Sequence, residues 1–301
     1  MRSRSRLDVG TVPELEQALL PLLEERFGEA FDYALLSQAL DEVDALYGGR
    51  APGYLASDTP YHDLKHSLDT TLVAVRIADG LMAAGEPFDA EDMLLLVLGA
   101  LFHDVGYLRR ADETAIQGGA LTKIHVGRGE AFFRHWLSCS PLAAHAPAAG
   151  AMLHYTGYEE PAASLDGRLP ERHRRLGKII ATADLVSQMA DRYYLERCRD
   201  ALFAEFRLAG DPPMASAEDL LAETPAFMAH VRRTRLEREL EGYYRYLGHH
   251  FRCSPDPYMA AIDRHADFIG KLAAAGDFRR LRRDTALRGL PAAQPPGMAL
   301  A

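Results

Sequence analysis

The chain has 301 residues, 48% of them hydrophobic and 26% charged, which is the composition of an ordinary globular protein. Its formal net charge is −9, and no block of like charge favours a nucleic-acid duplex or a membrane surface as partner. The longest apolar run, Met93–Phe102, is too short to span a bilayer. Three cysteines without CxxC spacing exclude a disulfide framework, and the absence of a secretory signal favours the cytoplasm.

Helical periodicity runs through almost the whole chain, and no period-two alternation predicts a sheet. The expected helices cover 13–27, 31–47, 60–84, 89–104, 122–137, 142–155, 171–190, 192–208, 225–247 and 257–274. Ser57, Asp58 and Thr59 are candidate caps for the third helix, and residues 109–121 are expected to form a loop. These elements predict one all-α domain over 1–287, with a core at about 57–191 and a disordered tail at 288–301.

The segment LFHDVGY ends the apolar run, so the chain carries His103 and Asp104 into a hydrophobic environment. Burying an imidazole and a carboxylate is unfavourable unless a hydrogen-bond network or a metal ion satisfies them. Asp184 presents the same problem in the stretch KIIATADLV, because no basic residue lies three or four positions away. These residues are therefore the first candidates for a buried polar site.

Further histidines follow at helix ends or on helix faces. His66 lies four residues after His62, which predicts one helix face for both, His125 opens a helix, and His154 ends one. Imidazole nitrogens with carboxylate oxygens suit a catalytic metal site better than a structural thiolate site. Six such groups exceed the need of one ion, so we expect two divalent ions bridged by Asp104.

The ordered set His66, His103–Asp104, His125, His154 and Asp184 resembles the HD-domain superfamily of metal-dependent phosphohydrolases, over roughly residues 61–190. The resemblance implies a helical bundle in which one metal is held by His66, His103, Asp104 and Asp184. It implies that Asp104 bridges to a second metal held by His125 and His154. Manganese, iron, nickel, magnesium and zinc are all compatible with these ligands.

The stretch YHDLKH is also similar to an element of cyclic-nucleotide phosphodiesterases, whose first histidine protonates the leaving oxygen. That role would fall on His62, although Asp63 and Ser67 stand where the element has asparagine and alanine. The segments HDVGY and HYTGY depart from the pattern of HD-GYP enzymes, which argues against a typical member of that group.

The resulting hypothesis is a phosphodiesterase that hydrolyses a nucleotide phosphate ester, cyclic esters included, by attack of a metal-activated hydroxide on phosphorus. The expected partner is this small molecule. Phosphate-binding candidates near the motif are Arg109, Arg110, Lys123 and Arg128, although charged loop residues are more often simply solvated.

Two other functions use the same residues. HD-domain proteins resembling inositol oxygenase place two irons on this ligand set, and a catalytically silent domain would bind a nucleotide as a signal. The helices after Arg192 lie outside the resemblance and are open to three interpretations: a homodimer interface, a lid or a substrate wall.

Overall fold

The computed structural model describes residues 7–210 and 214–281, and its described part contains helices and no β-strand. An isolated antiparallel bridge joins Tyr54 to Arg110. The helices are α1 (Val12–Phe27), α2 (Tyr33–Tyr47), α3 (Leu64–Ala83), α4 (Ala90–Phe102), α5 (His125–Ser138), α6 (Ala146–Met152), α7 (Ala162–Arg168), α8 (Glu171–Ala190), α9 (Tyr194–Arg197), α10 (Phe203–Leu208), α11 (Ala217–Val231), α12 (Leu247–Phe251) and α13 (Pro257–Ala275). The prediction of an all-α fold is confirmed.

The centre of the bundle is formed by α3, α4 and α8, which pack against one another. Every residue of α3 from His66 to Leu81 is buried, and so is every residue of α4 from Met93 to Phe102. The apolar run of α4 is thus a core helix, and none of the helices in the described ranges is long and apolar enough to cross a membrane. The three elements that carry His66, His103–Asp104 and Asp184 therefore meet in the interior.

The remaining helices surround this centre. Helix α1 packs on α3 and α2 packs on α4, while α12 covers α3, and α13 covers α8 and α11. Buried Asp79 of α3 joins α1 to α12, because its carboxylate accepts hydrogen bonds from Arg26 Nε and His250 Nδ1. Most of the buried apolar residues form one contiguous cluster, whose members range along the chain from Val9 to Leu281.

Several predicted boundaries need correction. Helix α3 begins at Leu64 rather than at residue 60, because Asp63, and none of the predicted caps, accepts a hydrogen bond from a backbone N–H of the first turn. His62 therefore precedes the helix and does not share a helix face with His66.

The expected helix at 192–208 is divided into α9, a π-helical segment at Cys198–Leu202 and α10. The expected helix at 225–247 corresponds to α11, which begins earlier, at Ala217, where Ser216 accepts from the backbone N–H of Asp219, and Pro225 lies inside it. Helix α11 ends at Val231, and a π-helical segment at Arg232–Glu239 and a 3₁₀ turn at Tyr243–Tyr246 follow before α12. Helix α7 was not predicted at all. The predicted tail at 288–301 lies outside the described residues, and the single-domain boundary at 287 stays a prediction.

Candidate metal centre and active-site cavity

The first turn of α3 presents His66. The Asp63 side chain accepts a hydrogen bond from the His66 backbone N–H at 2.9 Å, and this cap satisfies one of the unpaired donors of the helix N-terminus. Arg197 donates to the other carboxylate oxygen of Asp63 at 3.3 Å. The cap therefore holds His66 at a defined position at the start of the helix.

His103 and Asp104 follow the last residue of α4 and are almost completely buried. His103 Nδ1 lies 2.8 Å from the carbonyl oxygen of Ala100, an acceptor that requires the proton on Nδ1. This hydrogen bond leaves His103 Nε2 directed at the carboxylates. It is the orientation expected of a metal-ligating histidine whose other ring nitrogen is anchored by a carbonyl.

The side chains of His66, His103, Asp104 and Asp184 converge. His66 Nε2 lies 3.0 Å from Asp184 Oδ1 and 3.4 Å from Asp104 Oδ2, and His103 Nε2 lies 3.3 Å from Asp104 Oδ2. His66 Nε2, His103 Nε2 and Asp104 Oδ2 are buried, and none of them has a hydrogen-bond partner of acceptable geometry. Buried polar atoms without partners are rare in proteins, so the cluster fits a shared cation. These three residues form a group that can hold a metal ion.

The pKa values of His103 and Asp104 are also consistent with a cation site in this cluster. Burial lowers the pKa of His103, but the Asp104 and Asp184 carboxylates outweigh burial and raise it to about 9. Burial raises the pKa of Asp104, but His103, His62 and His66 together hold it well below its usual range. Asp104 is therefore ionised at neutral pH, and a metal ion that binds here must displace the proton of His103.

His125 is the first residue of α5 and faces the other oxygen of Asp104. Its Nδ1 lies 2.6 Å from the Thr122 carbonyl oxygen, and its Nε2 lies 3.8 Å from Asp104 Oδ1. Burial lowers the pKa of His125, which favours the neutral, ligating imidazole. The α5 helix can approach this closely because Gly106 has no side chain: a Cβ there would lie 1.8 Å from the His125 carbonyl oxygen.

His154 lies in the 3₁₀ segment Leu153–Tyr155, and its Nε2 is 2.8 Å from Glu130 Oε2. It is not among the residues that line the cavity above the cluster, whereas Glu159 is. The role of His154 as a ligand of a second metal stays a prediction. Neither Glu130 nor Glu159 was singled out from the sequence.

His62 is held beside the cluster by a residue that sequence reasoning missed. Its Nδ1 lies 2.5 Å from Oε2 of buried Glu205 on α10, whose Oε1 accepts from the backbone N–H of Tyr61 at 2.7 Å. Burial lowers the pKa of His62, but Glu205 first and the nearby aspartates next outweigh it, and the pKa is raised. The imidazole of His62 stacks on the ring of Tyr107, with 4.3 Å between the ring centroids. Tyr107 stacks on His125 with a centroid distance of 4.2 Å.

A cavity of about 490 Å³ opens above the cluster, with Asp104, Asp184, His125 and His62 at its polar end. Of the predicted phosphate-binding residues, Lys123 lines it. Arg109 instead forms an ion pair with Asp58 and donates a hydrogen bond to the Ile116 carbonyl. Arg128 forms an ion pair with Glu113 and donates hydrogen bonds to the carbonyls of Gly106 and Leu108. Much of the remaining wall is apolar and comes from Leu185, Leu202, Phe206, Phe227, Tyr158 and Tyr194.

One signal in the sequence could have revealed Glu205. It stands in the apolar stretch ALFAEFRL, where a lone carboxylate raises the same question as Asp184 in KIIATADLV. Asp184 was supported in addition by its place in the ordered motif, whereas Glu205 lies beyond that motif. Its partner could be recognised only when α10 was seen against the segment before α3.

The sequence was compared with models of known protein families, and one of them matches. The family model of the HD domain matches residues 63–194, which span α3 to the start of α9 and contain His66, His103, Asp104, His125, His154 and Asp184. Comparisons with curated proteins and with solved structures yielded no match. HD domains are in general metal-dependent hydrolases that bind divalent ions. Residues 63–194 therefore form an HD domain, in agreement with the resemblance carried by the ordered histidine and aspartate motif.

Proposed function

We propose that the protein is a phosphodiesterase that hydrolyses a nucleotide phosphate ester with the help of two divalent metal ions. The observation that carries the proposal is the buried convergence of His66, His103 and Asp104 at the polar end of a cavity large enough for a small molecule. Cavities of several hundred cubic ångströms with a few convergent polar groups are the usual form of small-molecule sites.

The two carboxylate oxygens of Asp104 support two ions rather than one. Oδ2 faces His66 and His103 at 3.4 and 3.3 Å, and Oδ1 faces His125 at 3.8 Å. His66, His103, Asp104 and Asp184 would hold the first ion, and Asp104 and His125 would hold the second. When bound, divalent metal ions at such a site act as Lewis acids that neutralise phosphoryl charge and make water nucleophilic at neutral pH.

The protein's own residues supply the proton that the departing group needs. In hydrolysis, the water oxygen forms a bond to phosphorus, the bond from phosphorus to the leaving oxygen breaks, and the water proton passes to solvent. His62, oriented by Glu205, donates a proton to the leaving oxygen and regains one from solvent. An acid is most useful when the leaving group is an alkoxide, which is the case in a nucleotide phosphodiester.

The experiment is hydrolysis of bis-p-nitrophenyl phosphate by protein stripped of metal and reloaded separately with Mn²⁺, Fe²⁺, Ni²⁺ or Mg²⁺. Asp104→Ala removes the shared carboxylate, so we expect metal-dependent release of nitrophenolate to fall by at least about 10²-fold. Metal content, measured by elemental analysis, should fall in the same variant. Near-normal turnover of Asp104→Ala with both metals bound would contradict the proposal. If no metal supports hydrolysis and the protein binds two iron ions, the alternative function, a di-iron oxygenase resembling inositol oxygenase, would be supported instead.

A further inference from the structure

The cavity combines a polar end with an apolar wall, and this contrast bears on the substrate. Resting on the proposed function, we infer that the cavity takes an ester of a single phosphate whose organic group is aromatic, and that it does not favour polyphosphates. The phosphate would lie at the metal-binding end, and the aromatic group, which is the group that stays on phosphorus, would lie between Phe206, Phe227 and Tyr158.

The first argument is the shortage of cations. Among the described residues that line the cavity, Lys123 is the one lysine or arginine. It has no ion-pair partner in the described part of the chain, whereas Arg109 and Arg128 are each held by a carboxylate and by backbone carbonyls. Glu159 adds a negative charge to the wall. A chain of phosphates needs several cations along its length, and this wall offers one beyond the metal-binding end.

The second argument is the exposure of the aromatic wall. Large apolar side chains that are exposed are few in the described ranges, and two of them, Phe227 at 46% and Tyr158 at 64%, line this cavity. Exposed aromatic groups at the rim of a concave site mark a surface that a ligand covers. A flat ring suits them, because aromatic rings stack or meet edge to face.

The third argument is that the wall is already held in place. The guanidinium of Arg235 lies 4.8 Å from the ring of Tyr158 and donates hydrogen bonds to the carbonyls of Tyr155 and Gly157. Phe206 follows Glu205 on α10, and Glu205 is bound to His62. The aromatic wall is therefore connected to the catalytic end, so that a ligand on one is set in register with the other.

The test uses Mn²⁺-loaded full-length protein and three diesters with the same leaving group: methyl, phenyl and thymidine 5′-esters of p-nitrophenyl phosphate. We expect kcat/KM for the phenyl and thymidine esters to exceed that of the methyl ester by roughly tenfold or more, the usual discrimination of an apolar pocket. A preference for thymidine over phenyl would identify a nucleotide, and equal values would identify a general aryl ester. Both results support the inference.

Phe227→Ala should remove most of this preference, chiefly by raising KM for the two aromatic esters. Ile116→Ala is the matched control, since Ile116 is also an exposed apolar residue, at 37%, but does not line the cavity. The preference should persist in that control. A methyl ester that is hydrolysed as efficiently as the phenyl ester would overturn the inference while leaving phosphodiesterase activity established.

Calorimetric binding gives a readout that does not need turnover. With free Mn²⁺ kept in excess, phenyl phosphate and thymidine 5′-monophosphate should bind at least about tenfold more tightly than inorganic phosphate. Thymidine 5′-triphosphate should bind no more tightly than the monophosphate. Tighter binding of the triphosphate would overturn the inference even if every ester is hydrolysed. The expected order of affinities without any hydrolysis would support it and would count against the proposed function alone.

Discussion

At the scale of single residues, the pair His62–Glu205 separates this site from a simple metal cluster. Glu205 is 1% exposed at its side chain and gives both carboxylate oxygens to the segment that carries His62. A carboxylate in this position fixes the orientation of the ring and favours its protonated form. Glu205 is thus a positioning residue for the group that we propose to protonate the leaving oxygen.

Replacing Glu205 with glutamine should change the pH dependence of hydrolysis. An acid must be protonated to act, so kcat falls as pH rises through the pKa of His62. Glu205 is the main group that raises this pKa, and its neutralisation should move the alkaline limb to lower pH. We also expect kcat at the optimum to fall by about 10- to 100-fold.

The measurement is a profile of kcat against pH, with a phosphodiester whose leaving group is an alkoxide, for Glu205→Gln, the unaltered protein and Glu218→Gln, whose side chain is exposed on α11. The control should follow the unaltered protein. An alkaline limb that stays in place in Glu205→Gln would show that Glu205 does not act through the protonation of His62.

At the scale of elements, the site depends on how closely the HDVGY turn approaches the start of α5. Because Gly106 has no side chain, the backbone of His125 can pack against it. His125 Nε2 therefore comes within 3.8 Å of Asp104 Oδ1. Two other elements are set by local chemistry. Asp89 and Asp92 form a capping box at the start of α4, and Asp63 caps α3 at His66.

Gly106→Ala should therefore displace α5 and weaken the second metal position. We expect a loss of stability of about 1–3 kcal/mol, as in other overpacked sites, and fewer bound metal ions per chain. Gly127→Ala, on α5 itself, is the matched control, because nothing lies within 4 Å of a Cβ at that position. It should stabilise the protein by up to about 1 kcal/mol, since alanine favours a helix more than glycine does. Urea unfolding and elemental analysis measure both effects, and equal behaviour of the two variants would contradict this account.

At the scale of the whole molecule, the site is assembled from distant segments of the chain. Residues 63–194 supply the metal-binding cluster, whereas Glu205, Phe206 and Phe227 come from the following helices. Phe206 and Phe227 of these helices line the cavity, which supports the proposal that they form a substrate wall. A homodimer interface stays a prediction.

The buried carboxylates are unfavourable without a cation, so we expect metal binding to increase the stability of the whole fold. At a free Mn²⁺ concentration 100 times the dissociation constant, the free energy of unfolding should rise by about 2.7 kcal/mol. Asp184→Asn retains the shape but removes one charge, so it should lose most of this gain. Thermal unfolding with Mn²⁺ and with a chelator measures the difference. An equal shift in Asp184→Asn would show that the ion binds elsewhere.

The sequence by itself determined the all-α fold, the bounds of α8 and the near-complete extent of α4. It also determined the order of the candidate ligands, because helical periodicity and caps are local properties and the motif is read along the chain. Only the tertiary structure decided which charges meet. Lys123 lines the cavity while Arg109 and Arg128 do not, since each arginine finds a carboxylate that sequence spacing does not reveal. The pairing of His62 with Glu205 joins residues 143 positions apart. Such partners depend on packing between helices, and the local pattern of residues carries no information about that distance.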